Sequence, residues 1–242
     1  MRRFETSHDH CVLPGLHMVA RLDGRSFTKL TKERHEFEAP FDERFRDMMV
    51  GTVKHLMENG FRIVYGYTQS DEISLLFHPD ADPFSRKLRK LNSVLAGEAS
   101  ATFSLLLGAH GVFDCRISQL PTQKDVVDYF RWRHEDAHRN ALNAHCYWLL
   151  RGDGEEARAA SDSLLGLSVA QKNELLFQRK MNFNDVPRWQ KRGTGVYWVD
   201  VERAGHNPLT GEATVAQRRE LRVDMELPLR DDYDALIRSF LD

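Results

Sequence analysis

Two acidic turns carry the side chains of this sequence that are best suited to chemistry. Asp23 and Gly24 follow an apolar, strand-like segment, and Asp71 and Glu72 lie in a turn between two further β-rich segments. A single Asp-Gly pair is a common turn dipeptide and indicates little by itself. Two acidic groups at adjacent strand ends, however, repel each other unless a cation or a proton lies between them. Together the two turns predict a site for divalent metal ions that serves phosphoryl or nucleotidyl transfer.

The predicted site holds both metal ions and a nucleotide. Asp23 and Asp71 would bind two Mg²⁺ ions through hard oxygen atoms, with the carbonyl oxygen of Gly24 as a further ligand and Glu72 as a third catalytic carboxylate. Backbone amides after Gly24 would hold phosphate oxygens. For the Phe27 ring, core packing and base stacking are equally open. The predicted nucleotide contacts are Asp23, Gly24, Arg25, Ser26, Phe27, Thr28, Ser70 and Asp71.

The order of the predicted elements explains how the two turns meet. Between residues 16 and 117 the patterns follow one another as strand, helix, strand, strand, helix, strand. This βαββαβ order is the ferredoxin-like arrangement of an α+β fold, in which the first and third strands lie side by side and antiparallel. The end of the first strand, with Asp23, then lies beside the start of the third, with Asp71. Carboxylates 48 residues apart in the sequence become neighbours.

The second half of the chain is predicted to be more helical. A cap at Thr122 begins a long helix that runs towards Trp148. Two shorter helices follow, over residues 155–165 and 169–177. A C-terminal β-ribbon then has strands at 195–201 and 218–225 and a turn at 207–211. We expect one elaborated domain over residues 1–242, in which 1–120 form the catalytic core and 121–242 pack on it.

Three clusters of basic residues are candidates for phosphate or RNA contacts. Lys87 and Lys90 lie three residues apart on one face of a predicted helix, which favours contacts to a triphosphate. The other two clusters interleave arginine or lysine with tryptophan, as contacts to single-stranded RNA do, although a charged run is usually a solvated face. These two clusters contribute Arg131, Arg133, Arg188, Lys191 and Arg192.

Composition argues against several other classes of protein. A net charge of −2 does not fit a general basic coat for nucleic acids, so a polyanion site must be local. The three cysteines are far apart and lack CxxC spacing, which argues against a disulfide framework or a zinc site. His134 and His138 are four residues apart on one predicted helix and could bind one metal ion together, but no third ligand lies at suitable spacing, which argues against a zinc site there. No apolar run is long enough for a membrane span, and we expect a cytoplasmic protein.

Five motifs, in one order, resemble the tRNA-histidine guanylyltransferases and their bacterial and archaeal guanylyltransferase-like relatives, which polymerise nucleotides in the 3′-to-5′ direction. The similarity covers residues 16–198. The motifs are Arg21-Leu22-Asp23-Gly24-Arg25-Ser26-Phe27, Gln69-Ser70-Asp71-Glu72, Asp136-Ala137-His138-Arg139-Asn140, Lys172-Asn173-Glu174-Leu175-Leu176-Phe177 and Lys191-Arg192-Gly193-Thr194.

The resemblance implies a polymerase-palm sheet, a homotetramer, and binding of Mg²⁺, ATP, GTP and a tRNA acceptor end. Members of this family first adenylylate a 5′-monophosphate with ATP, and the 3′-hydroxyl of an incoming nucleotide then attacks while AMP leaves. Asp23, Gly24 and Asp71 resemble the metal ligands, and Lys87 and Lys90 resemble triphosphate contacts. The resemblance also implies an RNA-facing region that includes His138, Asn140, Lys172 and Asn173.

Departures from the family pattern distinguish between its branches. The eukaryotic enzymes have His-Ile-Asn-Asn where this chain has His138-Arg139-Asn140-Ala141, a histidine in place of Thr28 and a lysine in place of Ala39. These differences favour the guanylyltransferase-like branch and templated repair of 5′-truncated tRNA, with G−1 addition to histidine tRNA as a further activity. Two alternatives stay open: a nucleotidyl cyclase, against which the regions of Lys172 and Lys191 argue, and a noncatalytic RNA-binding protein.

Overall fold

The computed structural model describes residues 1–206 and 213–241. The strands are β1 (His17–Gly24), β2 (Ile63–Gln69), β3 (Glu72–Phe77), β4 (Phe113–Leu120), β5 (Thr194–His206) and β6 (Ala213–Asp224). The helices are α1 (Arg2–Glu5), α2 (Phe27–Lys29), α3 (Glu43–Glu58), α4 (Leu88–Leu107), α5 (Gln123–Gly152), α6 (Ala157–Leu164), α7 (Val169–Phe177), α8 (Arg188–Arg192) and α9 (Asp231–Arg238). A π-helical turn, Leu30–Arg34, continues α2, and 3₁₀ turns cover Pro83–Arg86 and Phe183–Asp185.

One antiparallel sheet contains all six strands, in the order β4-β1-β3-β2-β5-β6. The first four strands have the ferredoxin-like order, so the α+β fold predicted from the sequence is confirmed. In the register of the sheet, Asp23 on β1 lies opposite Glu72 on β3 and opposite Asp114 on β4. The topology therefore brings both acidic turns to the same end of the sheet.

The C-terminal ribbon is longer and better integrated than the sequence pattern predicts. Its strands extend over β5 and β6, and Tyr65 to Thr68 of β2 pair with Thr194 to Tyr197 of β5. The ribbon is thus an extension of the sheet. The predicted turn at 207–211 lies outside the described residues. The division of the domain at residue 120 stays a prediction.

Helices cover both faces of the sheet because side chains alternate along each strand. Ala20 and Leu22 of β1 point to the face that α3 and α4 cover. Val19 points to the opposite face, where it joins Phe130 of α5 and Tyr233 of α9. A third apolar cluster joins α5 to α6 and α7. Among the described residues, no helix combines the length and apolarity that crossing a membrane requires.

The long helix α5 begins where the sequence predicts. The Thr122 hydroxyl accepts a hydrogen bond from the backbone N–H of Asp125, and the Asp125 carboxylate accepts one from the N–H of Thr122. This capping box satisfies two N–H groups that have no partner inside the helix. Ser168 and Gln171 form the same arrangement at the start of α7.

The chain turns sharply before α4, although Asp82-Pro83 is a pair that commonly opens a helix. Positive φ angles at Phe84, Ser85 and Arg86 separate the 3₁₀ turn from α4, which begins only at Leu88. The Arg86 guanidinium donates to the carbonyl oxygen of Leu16 at 2.5 Å, just before β1. This contact anchors the start of α4 at the end of the sheet opposite Asp23, because Leu16 and Asp23 are seven residues apart along an extended strand, roughly 23 Å.

Candidate active site

The hairpin between β2 and β3 presents the second acidic turn to the end of β1. Ser70 has a φ of 50°, which a two-residue hairpin of this kind requires at its first central position. The backbone N–H of Gly24 donates to the carbonyl oxygen of Asp71 at 3.0 Å. Asp23 and Asp71 are therefore held on two neighbouring backbones by a direct hydrogen bond.

Asp71 has the most perturbed carboxyl group of the site. Burial, together with the negative charges of Asp23 and Glu72, raises its pKa to about 6, although Ser70 Oγ donates to Asp71 Oδ1 at 3.2 Å and opposes the shift. A carboxylate that is costly to ionise beside another acid is the electrostatic condition that a bound cation relieves. The hard oxygen donors of Asp23, Asp71 and the Gly24 carbonyl fit Mg²⁺.

The protein alone offers an incomplete set of metal ligands. Within residues 1–206 and 213–241, no group of three or more His, Cys, Asp or Glu side chains is arranged to hold a metal ion. Mg²⁺ commonly takes one or two protein carboxylates and completes its coordination with water and substrate phosphate. The two aspartates match that pattern.

Arginines engage Glu72 and distinguish it from the other two carboxylates. Arg21 of β1 and Arg133 of α5 both donate hydrogen bonds to Glu72, one to each carboxylate oxygen. Arg21 also lies 3.4 Å from Asp23, and Arg116 lies 3.7 Å from Asp23. Glu72, predicted as a catalytic carboxylate, therefore joins β1, β3 and α5 at the edge of the site. Sequence reasoning assigned Arg133 to RNA, whereas its side chain is only 4% exposed and pairs with Glu72.

The loop after Gly24 is tightly packed. A Cβ at Gly24 would lie 2.6 Å from the Phe27 ring, so this position requires glycine. The Phe27 ring packs in the core, with its centroid 5.0 Å from those of Phe103 and Phe113, which excludes it from base stacking. The N–H of Arg25 donates to the carbonyl oxygen of Val112, so it is not available to a phosphate. Ser26, Thr28 and the amides of the first turn of α2 remain candidates.

A cleft of about 370 Å³ opens beside the acidic hairpin. Its walls come from four parts of the chain: the β2–β3 hairpin, the segment from α2 to α3, one face of α5, and α8. The hairpin contributes Ser70, Asp71 and Glu72. The other three parts contribute lining residues that include Lys32, Phe41, Asp42, Arg46, Asn140, Ala144, Trp148, Trp189 and Gln190.

Aromatic and polar groups of this cleft were not predicted from the sequence. The Phe41 and Trp189 rings meet edge to face at 6.1 Å, and the Arg46 guanidinium lies 4.6 Å from the centre of the Trp189 ring. Gln190 Oε1 is 3.1 Å from Nε2 of the buried His145, which orients its amide. The tryptophan inside the last basic cluster was a signal, but only the fold shows that it faces the cleft.

Comparison with known proteins decides the family. Residues 1–121 match the family described as tRNAHis guanylyltransferase, and residues 124–230 match the family described as Thg1 C terminal domain. This chain belongs to the tRNAHis guanylyltransferase family. It is therefore a member of a family of nucleotidyltransferases, as the sequence motifs indicated.

Relatives and solved structures of the tRNAHis guanylyltransferase family agree with this membership. A probable tRNA(His) guanylyltransferase of Drosophila melanogaster is 33% identical, with 77% of this chain and 68% of that protein aligned. The tRNA(His) guanylyltransferase of Debaryomyces hansenii is 33% identical, over 80% of this chain and 77% of that protein. A bacterial guanylyltransferase-like protein in complex with ATP has a TM-score of 0.79 and 26% identity, over 100% and 97% of the two chains. The Saccharomyces cerevisiae enzyme has a TM-score of 0.74 and 27% identity, over 81% and 90%.

Within this member of the guanylyltransferase family, most basic residues predicted to contact RNA form internal contacts. Arg131 of α5 pairs with Asp234 and Asp231 of α9. The other three donate to backbone carbonyl oxygens of the protein: Arg188 to Glu226 and Leu227, Lys191 to Phe183 and Asn184, and Arg192 to His134. These three arginines and the lysine are half-buried, and their hydrogen bonds join separate elements of the fold. Spacing alone could not distinguish such contacts from an RNA-binding surface.

The four RNA-facing residues implied by the family resemblance have different surroundings. Asn140 lines the cleft, and its Nδ2 donates to Asp136 at 3.3 Å. Lys172 donates to Asn143, and Asn173 donates to the carbonyl oxygen of Val169. Burial, with the positive charges of Arg192 and Lys191, lowers the pKa of His138 to about 4, so the imidazole is neutral at pH 7. Only Asn140 lies in the wall of the cleft.

Lys87 and Lys90 lie far from the cleft, contrary to the expectation that they contact a triphosphate at the acidic site. Lys87 immediately precedes α4 and pairs with Asp9 at 3.3 Å. Its backbone pairs with that of Cys11, near the start of β1. Because this is the end of the sheet opposite Asp23, neither lysine reaches the same nucleotide within one chain. Lys87 is extended and lies just before the first turn of α4 rather than on a face of it, and the spacing of the two lysines does not reveal which end of α4 faces the site.

Proposed function

We propose that this protein adds nucleotides in the 3′-to-5′ direction to the 5′ end of tRNA. One observation carries the proposal: the hydrogen bond from the Gly24 N–H to the Asp71 carbonyl oxygen joins the backbones of the two acidic turns beside a cleft with aromatic walls. The membership of the family and the similarity to proteins solved with ATP and with GTP support nucleotides as the substrates.

Asp23, Asp71 and the carbonyl oxygen of Gly24 would hold two Mg²⁺ ions in this enzyme. Such ions neutralise charge on the phosphates and on the attacking and leaving oxygens of an in-line displacement. Arg21 and Arg133 hold the Glu72 carboxylate in place through hydrogen bonds, which fixes the start of β3 next to Asp71. The Asn140 amide, oriented by Asp136, lies where it can bind a hydroxyl or a base edge in the cleft.

The proposed reaction has two displacements. An oxygen of the RNA 5′-monophosphate attacks the α-phosphorus of ATP, and pyrophosphate leaves. The 3′-hydroxyl of the incoming nucleotide then attacks the 5′-phosphorus of the RNA, and AMP leaves, so the new 5′ end retains the triphosphate of that nucleotide. Phe41 and Trp189 supply an apolar wall of the cleft beside this step.

The substrate is proposed to be a tRNA that lacks nucleotides at its 5′ end, with the opposite strand as the template. Relatives are named for histidine tRNA, so addition of G−1 to that tRNA is the second proposed activity. The departures at Thr28, Ala39 and Arg139 favour repair. We further propose that the protein is a homotetramer and acts in the cytoplasm.

Substitution of the two aspartates tests the proposal. We expect Asp23→Asn and Asp71→Asn each to reduce Mg²⁺-dependent nucleotide addition by about 100-fold or more, because each removes a charged oxygen ligand. Binding of tRNA should change little. Asp114→Asn is the matched control, since Asp114 lies opposite Asp23 in the sheet but is 69% exposed and pairs with Arg116.

Two results would contradict the proposal. Retained addition by both aspartate variants would favour a noncatalytic role for the acidic turns. Release of a cyclic nucleotide from GTP in the absence of RNA would instead favour a nucleotidyl cyclase.

A further inference from the structure

The cleft extends well beyond the acidic hairpin, along α5. Asn140, Ala144 and Trp148 are spaced four residues apart, so they lie on one face of the helix, and all three line the cleft. At 1.5 Å per residue, Trp148 lies about 12 Å along the helix from Asn140. Asn140 is next to Asp136, which pairs with Arg133 at the site edge. Trp148 therefore marks the distal end of the cleft.

Lys32 reaches across this distal end. It lies in the π-helical turn after α2, and its ammonium group is 4.6 Å from the centre of the Trp148 ring and 5.7 Å from that of Tyr147. Across the described parts of the chain, no carboxylate oxygen lies within 4.0 Å of this ammonium. The faces of these two rings are the groups that the described residues place against its charge.

Two other cations lie against aromatic rings of the cleft wall, and both are paired with carboxylates. Arg44 lies 5.1 Å from the centre of the Phe37 ring and donates to Asp42 at 2.6 Å. Arg46 covers Trp189, but it also donates to Asp47 at 2.9 Å and lies 3.5 Å from Glu43. Its charge is therefore already paired. Lys32 combines an uncompensated positive charge with a partly buried position beside an indole, which is the combination that proteins use for a base and its phosphate.

We propose that Lys32 and Trp148 form a distal nucleotide subsite, in which a nucleobase stacks on the indole and the lysine ammonium contacts the adjacent phosphate. This inference rests on the proposed function, because it supplies that cleft with a second point of substrate contact about 12 Å from Asn140. The occupant of this subsite is one nucleotide unit. It comes either from the 5′ end of the RNA or from the nucleoside triphosphate.

Binding measurements with two probes distinguish these sources. The probes are GTP with Mg²⁺ and a 5′-phosphorylated RNA hairpin with the length of an acceptor stem, each titrated against the full-length protein. We expect Lys32→Ala and Trp148→Leu each to weaken one probe by about 5- to 20-fold, the range for loss of one stacked base. Weaker RNA binding with unchanged GTP binding identifies the RNA end as the occupant, and the reverse identifies the triphosphate.

Matched variants keep the test specific. Lys29→Ala is the control for charge, because Lys29 lies on the preceding turn, is 62% exposed and pairs with Glu33. Trp148→Phe should retain most of the binding, because it keeps an aromatic face. If Trp148→Leu does not fold, Lys32→Ala compared with Lys29→Ala decides the question.

Affinities within twofold of the wild type for both probes, in Lys32→Ala and Trp148→Leu, would overturn the subsite. The wild-type protein separates this outcome from failure of the proposed function. If it still adds nucleotides to tRNA while these variants bind both probes normally, only the subsite is wrong. If it adds none, the proposed function is wrong.

Discussion

The two aspartates at the acidic end of the cleft are held in different electrostatic surroundings. Asp23 lies beside Arg21 and Arg116, whereas Asp71 has a hydroxyl neighbour, Ser70, and two negative neighbours. Asp71 is thus the carboxylate that depends most on a bound cation. In the absence of metal it destabilises the fold whenever it is ionised.

The sign of this effect follows from the pKa. The pKa of Asp71 is about 6 in the folded protein and 3.8 in its reference state, so the folded protein holds an extra proton between these values. The contribution of Asp71 to the free energy of unfolding is therefore largest below pH 4, and this contribution is lost as the pH rises through 6. We expect Asp71→Asn, in EDTA at pH 7.5, to raise the Tm by roughly 3 °C.

Thermal unfolding at pH 7.5 and at pH 4 checks this expectation. The stabilisation should vanish at pH 4, and Asp114→Asn should not reproduce it. An Asp71→Asn protein that is less stable than the wild type at pH 7.5 would show that the carboxylate contributes favourable contacts that outweigh the repulsion.

At the scale of elements, α5 organises most of the site. Arg131 of α5 pairs with Asp234 of α9, and Arg133 of α5 pairs with Glu72 of β3. Asn140 and Trp148 of the same helix line the cleft. His134 stacks on Tyr233 of α9, with ring centroids 4.2 Å apart. One long helix therefore connects the catalytic sheet, the C-terminal helix and the distal end of the cleft.

The contact between α5 and α9 predicts a stability effect without an RNA effect. Asp234 is only 5% exposed, so Arg131→Ala would leave it with the more distant Arg238, at 3.7 Å. We expect a loss of about 1–3 kcal/mol in the free energy of unfolding, measured by denaturant titration. The affinity for tRNA should stay within twofold of the wild type. A large loss of tRNA affinity with unchanged stability would restore Arg131 as an RNA contact.

The buried histidine of α5 predicts acid sensitivity of opposite sign to that of Asp71. Burial lowers the pKa of His134 to about 3, with Arg192, His138 and Arg188 adding positive charge, against 6.5 in its reference state. The neutral His134 imidazole makes its full contribution to the free energy of unfolding above pH 6.5, and this contribution is lost as the pH falls towards 3.

Acid unfolding of a stacking variant tests this effect. We expect His134→Phe, which keeps a ring against Tyr233, to lose less stability than the wild type between pH 6.5 and 4.5. His8→Phe, at an exposed position near the amino terminus, serves as the control. Equal acid sensitivity of His134→Phe and the wild type would contradict a neutral buried imidazole.

Local patterns predicted the elements of this fold better than the contacts between them. Capping residues, apolar periodicity and strand order placed α5, α7 and the acidic hairpin, because these depend on neighbouring residues. The partners of Arg131 and Arg133 lie 103 and 61 residues away, so no local pattern indicates these contacts. The cleft walls likewise come from segments that only the folded sheet brings together.

At the scale of the whole molecule, the catalytic core and the C-terminal region share one sheet. The two family matches meet near residue 122, yet β5 from the second pairs with β2 from the first. The acidic hairpin that carries Asp71 is therefore flanked by β1 on one side and by the ribbon on the other. Its position depends on both parts of the chain.

The direction of nucleotide addition tests the central proposal most directly. Purified protein is incubated with Mg²⁺, ATP, GTP labelled on its γ-phosphate, and a 5′-monophosphorylated tRNA that lacks one 5′ nucleotide. Attack by the 3′-hydroxyl keeps the triphosphate of the incoming nucleotide, so we predict that the γ-label enters the RNA at early times, with one AMP released per addition. Entry of α-labelled but not γ-labelled GTP, or a cyclic product without RNA, would contradict 3′-to-5′ addition at the Asp23–Asp71 site.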